Sequence, residues 1–92
     1  MEPHAEVILY GSRARGDARP DSDWDLLVLL DGPVDSVRES AVAHRLYRLE
    51  LELDECPALS PIIHSRDEWD SPSFRAMPFR AYVEAEGVPL SA

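Results

Sequence analysis

The sequence predicts a small α/β domain in which helices flank a mixed, twisted β-sheet. Two short apolar runs, at residues 5–10 and 24–30, have the composition of buried strands, and residues 35–53 have the periodicity of an amphipathic helix. Alternating strand and helix patterns are typical of a sheet covered by helices. A chain of 92 residues has the length of one small domain, so a single domain over residues 1–92 is expected.

The first half of the chain predicts two strands joined by a helical turn and a loop. Residues 5–10 (AEVILY) are apolar except for Glu6 and stop at Gly11, which indicates a buried strand followed by a turn. Residues 12–15 favour one helical turn, and the polar residues that follow favour an exposed loop. Residues 24–30 (WDLLVLL) are apolar except for Asp25, as expected for a strand that is covered on both faces.

A long helix should follow the second strand. Asp35 or Ser36 is a typical N-cap, and residues 54–57 are expected to end the helix after about Leu53. Apolar side chains spaced by four, three and four residues predict its buried stripe, which consists of Val42, Leu46, Leu49 and Leu53.

The second half predicts shorter elements. Residues 58–64 (ALSPIIH) favour a third strand, in which Pro61 indicates a sheet edge or a bulge. Residues 65–69 predict a capped helical turn, residues 78–86 a helix that Gly87 ends, and residues 88–90 a last short strand. The aromatic segment 69–79 is a candidate apolar surface for a partner, and the small core leaves oligomerisation open.

Composition limits the function. Acidic residues outnumber basic residues 18 to 9, and the net charge is −9. This charge argues against a large nucleic-acid partner, since phosphate neutralisation supplies much of the affinity for DNA and RNA. The longest apolar run, residues 26–30, is too short to cross a bilayer, so no membrane partner is expected. The single cysteine, Cys56, excludes an internal disulfide and agrees with a reducing cytoplasm.

The residues with the clearest chemical pattern are Gly11-Ser12 and, after ten intervening residues, Asp23-x-Asp25. Gly11 lets a phosphate approach the backbone, and Ser12 offers a hydroxyl and an N–H at the start of a short helix. Two carboxylates spaced by two on a strand point to one side of the sheet, where they can share magnesium with substrate phosphate oxygens. Gly11-Ser12 and Asp23 could each be a simple turn residue, but Asp25 within an apolar strand is costly without a partner.

At these residues the sequence resembles the minimal nucleotidyltransferases of the polymerase β-type superfamily. The segment GSRARGDARPDSDWD matches their motif without a gap, and Glu86-Gly87-Val88 also looks like the family. The resemblance implies the nucleotidyltransferase fold, with Mg²⁺ as cofactor and ATP as nucleotide donor. The site residues that it implies are the catalytic, magnesium-binding Asp23 and Asp25, the phosphate-binding Gly11 and Ser12, and Arg13 and Arg15 as assisting charges.

Many proteins of this kind are the antitoxin of a pair with a HEPN-domain ribonuclease toxin, and some adenylylate a tyrosine of that toxin. The resemblance therefore implies transfer of AMP to a hydroxyl of a partner protein. Transfer to a small molecule such as an aminoglycoside is a weaker alternative, because relatives with that activity usually carry a further domain that holds the acceptor.

The sequence departs from the family pattern at the third carboxylate. This residue usually lies on the strand after the long helix, and here Ser60 stands about where it is expected. Asp54 and Glu55 could replace it only if the strand had another register. The departure favours an alternative function, a module on the same fold that neutralises a partner protein by contact alone.

Overall fold

The computed structural model describes residues 4–52 and 58–90. In this part of the chain, four strands form one sheet: β1 Glu6–Tyr10, β2 Trp24–Leu30, β3 Leu59–Ser65 and β4 Val88–Pro89. The helices are α1 Ser12–Arg15, α2 Ser36–Glu52, α3 Arg66–Trp69, α4 Pro72–Arg75 and α5 Pro78–Glu86. None of the helices described is long and apolar enough to cross a membrane.

The sheet is mixed, which confirms the predicted fold class. Its strand order is β3-β2-β1-β4, with β1 antiparallel to both of its neighbours and β2 parallel to β3. The register places Tyr10 opposite Asp25 and Asp25 opposite Ser60. Asp25 therefore lies in a central strand, between the last residue of β1 and the beginning of β3.

Helices cover both faces of the sheet, as the apolar run of β2 predicts. On one face, Leu27 and Leu29 pack with Trp69 of α3 and Val83 of α5. On the other face, a second cluster joins the sheet to α2 and consists of Val28, Leu30, Ile63, Val42 and Leu46. Because side chains alternate along a strand, Asp25 belongs to the face that α3 and α5 cover.

Helix α2 begins as predicted, but its buried stripe differs from the prediction. The Asp35 carboxylate caps the helix by accepting a hydrogen bond from the Arg38 N–H at 2.8 Å. Leu49 was predicted to be buried and is 44% exposed, so this part of the prediction is wrong. Glu50 is directed toward the sheet instead, and its Oε2 accepts a hydrogen bond from the Leu59 N–H at 3.2 Å. Leu53 and residues 54–57, including Cys56, lie outside the described residues.

The C-terminal helices contain one correction. The Ser65 hydroxyl caps α3 by accepting a hydrogen bond from the Glu68 N–H, and α5 ends at Gly87 as predicted. The aromatic rings of segment 69–79 are not the exposed part of this segment, because Trp69 is buried and its ring lies 5.9 Å from the ring centroids of both Phe74 and Phe79, whereas Met77 is 44% exposed. These rings pack inward on the core because the sheet face beneath them is apolar.

Both edges of the sheet have a proline whose backbone points outward. The Trp24 N–H donates to the Ala58 carbonyl at 3.0 Å, so alternate residues from Ala58 onward face β2 and Pro61 faces away from it. At the other edge the Leu90 N–H donates to the Val7 carbonyl at 2.8 Å, which leaves Pro89 facing outward. The edge position predicted for Pro61 is confirmed, and neither proline offers an N–H to a further strand.

Candidate active site

The end of β1 brings the backbone of Gly11 against the carboxylate of Asp25. β1 stops at Tyr10, the chain turns at Gly11 with φ of +81°, and α1 begins at Ser12. A Cβ added at Gly11 would overlap Oδ2 of Asp25. The structure therefore joins the Gly-Ser turn and the second aspartate of the motif, which are far apart in sequence, into one site.

The two aspartates occupy different environments. Asp25 is half-buried as the second residue of β2, whereas Asp23 is exposed and precedes the strand. Strand alternation therefore determines the side of the sheet for the Asp25 side chain only. The direction of the Asp23 side chain depends on the conformation of the loop before β2. Within the described residues, neither carboxylate has a hydrogen-bond or ion-pair partner.

This donor set fits magnesium. Mg²⁺ is usually held by one or two carboxylates together with substrate phosphates, so a protein cage of three or more ligands is not required. Among the described residues, no group of three or more His, Cys, Asp and Glu side chains could hold a metal ion. Asp25, unpaired beside the Gly11 backbone, and Asp23, unpaired just before β2, are the one or two carboxylates that magnesium bound together with a nucleotide requires.

Ser12 opens the single turn of α1. Its carbonyl accepts hydrogen bonds from the Gly16 N–H at 3.0 Å and the Asp17 N–H at 3.2 Å, and the preceding Gly11 carbonyl accepts from the Ala14 N–H at 3.1 Å. These bonds fix the turn beside Asp25. The half-buried Ser12 hydroxyl has no hydrogen-bond partner in the described part of the chain, so it is available to a ligand.

Arg13 holds the loop that leads to Asp23. Its guanidinium donates to the Ser22 carbonyl at 2.9 Å and to the Pro20 carbonyl at 3.1 Å. The same group lies over the Trp24 ring, 4.6 Å from its centroid. Arg13 therefore organises the loop before the first aspartate, since its charge is used within the protein.

Arg15 connects α1 to α5. Its Nη1 donates to the Tyr82 hydroxyl and lies 3.5 Å from Oε2 of Glu86, while Nε lies 3.2 Å from the Asp17 carboxylate. The hydrogen bond to Asp17 is the largest cause that raises the pKa of the Arg15 guanidinium. Sequence reasoning missed Tyr82, which has no local signal, and noticed Glu86 only as part of the C-terminal motif.

Tyr10 is a second neighbour of the site that sequence reasoning missed. It lies opposite Asp25 in the sheet, and its ring contacts Phe79 and Tyr82 at centroid distances of 5.4 and 6.3 Å. Burial raises the pKa of the Tyr10 phenol, and the charges of Asp25 and Tyr82 raise it further. The phenol therefore stays protonated at neutral pH beside the carboxylate. Its place just before Gly11 was the available signal.

Ser60 is the residue opposite Asp25 on β3, and it is half-buried. The register agrees with the predicted place of Ser60 on the strand after the long helix. A serine hydroxyl is not a general base at neutral pH, so this position supplies no carboxylate to an acceptor. Asp54 and Glu55, the other candidates, lie outside the described residues.

Comparison with known proteins identifies the class of the chain. The nucleotidyltransferase domain family matches residues 1–82, so the chain belongs to this family. A chain in the crystal structure of a toxin–antitoxin with AMP-PNP has the same fold, with a TM-score of 0.57 and 19% identity over 99% of this chain. The present chain spans 64% of the length of that chain. No curated protein sequence matches.

Proposed function

We propose that this chain is a magnesium-dependent nucleotidyltransferase that transfers AMP from ATP to a hydroxyl of a partner protein in the cytoplasm. In this proposal it is the antitoxin of a HEPN/MNT-type pair. The observation that carries the proposal is the contact between the Gly11 backbone and the Asp25 carboxylate, where a phosphate and a carboxylate-bound cation would meet. The family match and the toxin–antitoxin with AMP-PNP among solved structures support it.

Each motif residue has a role in this proposal. Asp23 and Asp25 hold Mg²⁺, which when bound supplies positive charge to the attacking and leaving oxygens. Gly11 and Ser12 hold the β- and γ-phosphates through the backbone and the free hydroxyl. Arg15, at the far end of α1, would add positive charge that Asp17 and Glu86 offset in part.

The reaction is an in-line displacement at the α-phosphorus. The acceptor oxygen forms a bond to this phosphorus, the bond to the bridging oxygen of the β-phosphate breaks, and pyrophosphate leaves. The acceptor proton passes to solvent water, because Ser60 is not a general base. The chain contributes to the rate by holding the triphosphate in the orientation that exposes its α-phosphorus to the acceptor hydroxyl.

One observation favours the second candidate, a module that neutralises its partner by contact alone. Ser60 lies opposite Asp25, about where the family resemblance implies a third carboxylate. Without that group the acceptor is activated less, while the surfaces that bind a partner are unaffected. This module would keep the fold and nucleotide binding but not turnover.

Labelled transfer separates the two candidates. ATP labelled on the α-phosphate is incubated with magnesium, host lysate and the chain, beside the isosteric control Asp23→Asn/Asp25→Asn. We expect a labelled protein band with the unmutated chain only, and mass spectrometry then identifies the acceptor. Absence of label, when magnesium-ATP binding is confirmed and the acceptor is present, would overturn the enzymatic function and leave the contact module.

A further inference from the structure

The face of α2 that is turned away from the sheet exposes several large apolar side chains. Val37, Tyr47 and Leu51 are 76%, 55% and 63% exposed, whereas Val42 and Leu46 on the opposite side of the helix are buried. Apolar side chains therefore lie on two sides of the helix, and only one of these sides contacts the rest of the described chain. The other side combines exposed apolar residues with polar and basic ones, a composition found at protein interfaces.

The outer side chains follow the spacing of a helix–helix seam. Positions separated by alternating steps of four and three residues form one exposed line, the outer stripe, which consists of Val37, Ala41, His44, Arg48 and Leu51. Tyr47 extends the stripe on one side. Alternating steps of this kind keep side chains on one face, where a second helix packs. Since α2 has 17 residues, the seam can extend over roughly 25 Å.

The charge of the outer stripe is opposite to that of the protein. The net charge is −9, yet the stripe contains no acidic residue. Arg48 and the neighbouring Arg45 have no ion-pair partner within the described residues. Of the three acidic residues of α2, Glu50 binds the Leu59 N–H and Glu39 lines a cleft beside β3. The third, Glu52, lines one groove with Arg45 and Arg48 but forms no ion pair with either, so the two arginines leave this groove with a net positive charge. An apolar line with unpaired arginines is complementary to an apolar surface with an acidic rim.

Two other occupants fit the structure less well. A two-fold pairing with a second copy would bring Arg45 and Arg48 of both copies to one seam, with only Glu52 of each copy to offset them, so the seam would keep a net positive charge. A partner strand added to the sheet would find no N–H donor at Pro61 on one edge or at Pro89 on the other, and the outward Leu59 N–H is already bound to Glu50. A different protein that docks on the side chains of α2 can supply the acidic residues that a second copy lacks, and it needs no N–H donor from the sheet edges.

We infer that the outer stripe of α2 docks a helix of a different protein, whose surface is apolar at the centre and acidic at the rim. The inference rests on the proposed function in one respect, the existence of a protein partner. The stripe lies across the sheet from the face that carries Asp25, so docking and nucleotide binding use separate residues. A partner held there is positioned by α2 whether or not it receives a nucleotide.

The first test is cross-linking in host cells from position 51. In the full chain, the photo-reactive p-benzoylphenylalanine replaces Leu51. In the control it replaces Leu90, a similarly exposed leucine just after β4. We expect an adduct with one other protein from position 51 and none from position 90. The same adduct should form when Asp23→Asn/Asp25→Asn is added, which separates docking from transfer.

The second test measures affinity for the cross-linked protein after its purification. Tyr47→Glu/Leu51→Glu and, separately, Arg45→Glu/Arg48→Glu should each raise Kd by roughly tenfold or more. The control Met77→Glu/Leu90→Glu, at exposed apolar positions elsewhere, should change Kd by less than about twofold. All three variants should have the same melting temperature and the same affinity for magnesium-ATP as the unmutated chain.

Four results would overturn the inference: no adduct from position 51, an adduct of two copies of this chain, an adduct with nucleic acid, or an unchanged Kd in both stripe variants. Failure of the proposed function gives a different pattern. In that case the labelled-transfer assay is negative, while cross-linking and the affinity loss at the stripe remain.

Discussion

The backbone of Gly11 and the carboxylate of Asp25 lie so close together that no side chain fits between them. A Cβ at Gly11 would overlap Oδ2 of Asp25, and the φ of +81° at Gly11 is itself a conformation that favours glycine. The antiparallel pairing of β1 with β2 creates this contact, because Tyr10 and Asp25 are partners in the register. The glycine is thus required by both the turn and the site.

Gly11→Ala should therefore abolish magnesium-ATP binding and destabilise the fold. The strained backbone alone costs about 1–3 kcal/mol of unfolding free energy, and the overlap displaces the Asp25 carboxylate. Isothermal titration with a non-hydrolysable ATP analogue measures the affinity, and urea unfolding measures the stability.

Gly16→Ala is the control for this prediction. Gly16 also has a positive φ, +84°, but a Cβ there meets no atom within 4 Å. We expect Gly16→Ala to lose stability yet keep nucleotide affinity. If both variants bound the nucleotide as well as the unmutated chain, the contact between Gly11 and Asp25 would not belong to a binding site.

The main elements could be predicted from sequence because each has a strong local signal. The apolar run of β2 predicted both ends of this strand, and Pro78 and Gly87 predicted the first residue and the end of α5. Helix α4 was not predicted, although its sequence carries two helix-start signals, Ser71 as the N-cap and Pro72 at the first helical position. The exposure of Leu49 was missed for another reason, since the Glu50 carboxylate occupies the sheet-facing position in order to bind a strand N–H.

Arg13→Lys should weaken magnesium-ATP binding by loosening the loop before Asp23. A lysine cannot donate to the Ser22 and Pro20 carbonyls in the same plane while it stacks on Trp24, as the guanidinium does. Backbone ¹⁵N relaxation should show faster motion over residues 17–23. Arg19→Lys is the control in the same loop, and equal affinity in the two variants would contradict the role given to Arg13.

Only part of the candidate site could be predicted. The Gly-Ser turn and the aspartates are adjacent to strands in sequence, so a strand–turn pattern was enough to propose them. Tyr10 and Tyr82 enter the site through strand register and the packing of α5, which a single sequence does not encode locally. The interactions of Arg13 with backbone carbonyls also depend on the loop conformation.

Stability should depend on pH through Tyr10 at alkaline pH. Its pKa is raised in the folded protein, first by burial and then by the charge of Asp25. This contribution to stability is therefore complete below about pH 10, the unfolded pKa, and is lost as the pH rises through the folded pKa. Urea unfolding at several alkaline pH values should show a steeper loss for the unmutated chain than for Tyr10→Phe, and equal slopes would refute the prediction.

Ser60→Asp should increase nucleotidyl transfer. The register places this side chain opposite Asp25, and a carboxylate there can accept the proton of the acceptor hydroxyl. General base catalysis contributes about 10²–10⁴-fold, so the labelled product should form at least roughly tenfold faster. Ser60→Asn has the same shape without the charge. A rate for the aspartate variant no higher than that of Ser60→Asn would show that the acceptor proton is not lost at this position.

Pro61→Val should promote self-association through the edge of β3. Pro61 faces outward, and the Leu59 N–H before it already donates to Glu50, so this half of the edge offers no free donor to another strand. Valine restores an outward N–H and favours an extended backbone, which makes the edge a template for strand pairing. Sedimentation velocity over a range of concentrations should show dimers or larger species for Pro61→Val.

Pro33→Val is the control for this prediction. Pro33 lies in the turn before α2, outside the sheet, so this variant should sediment as the unmutated chain does. A monomeric Pro61→Val would indicate that the exposed carbonyls and side chains of β3 do not support pairing even when the donor is restored.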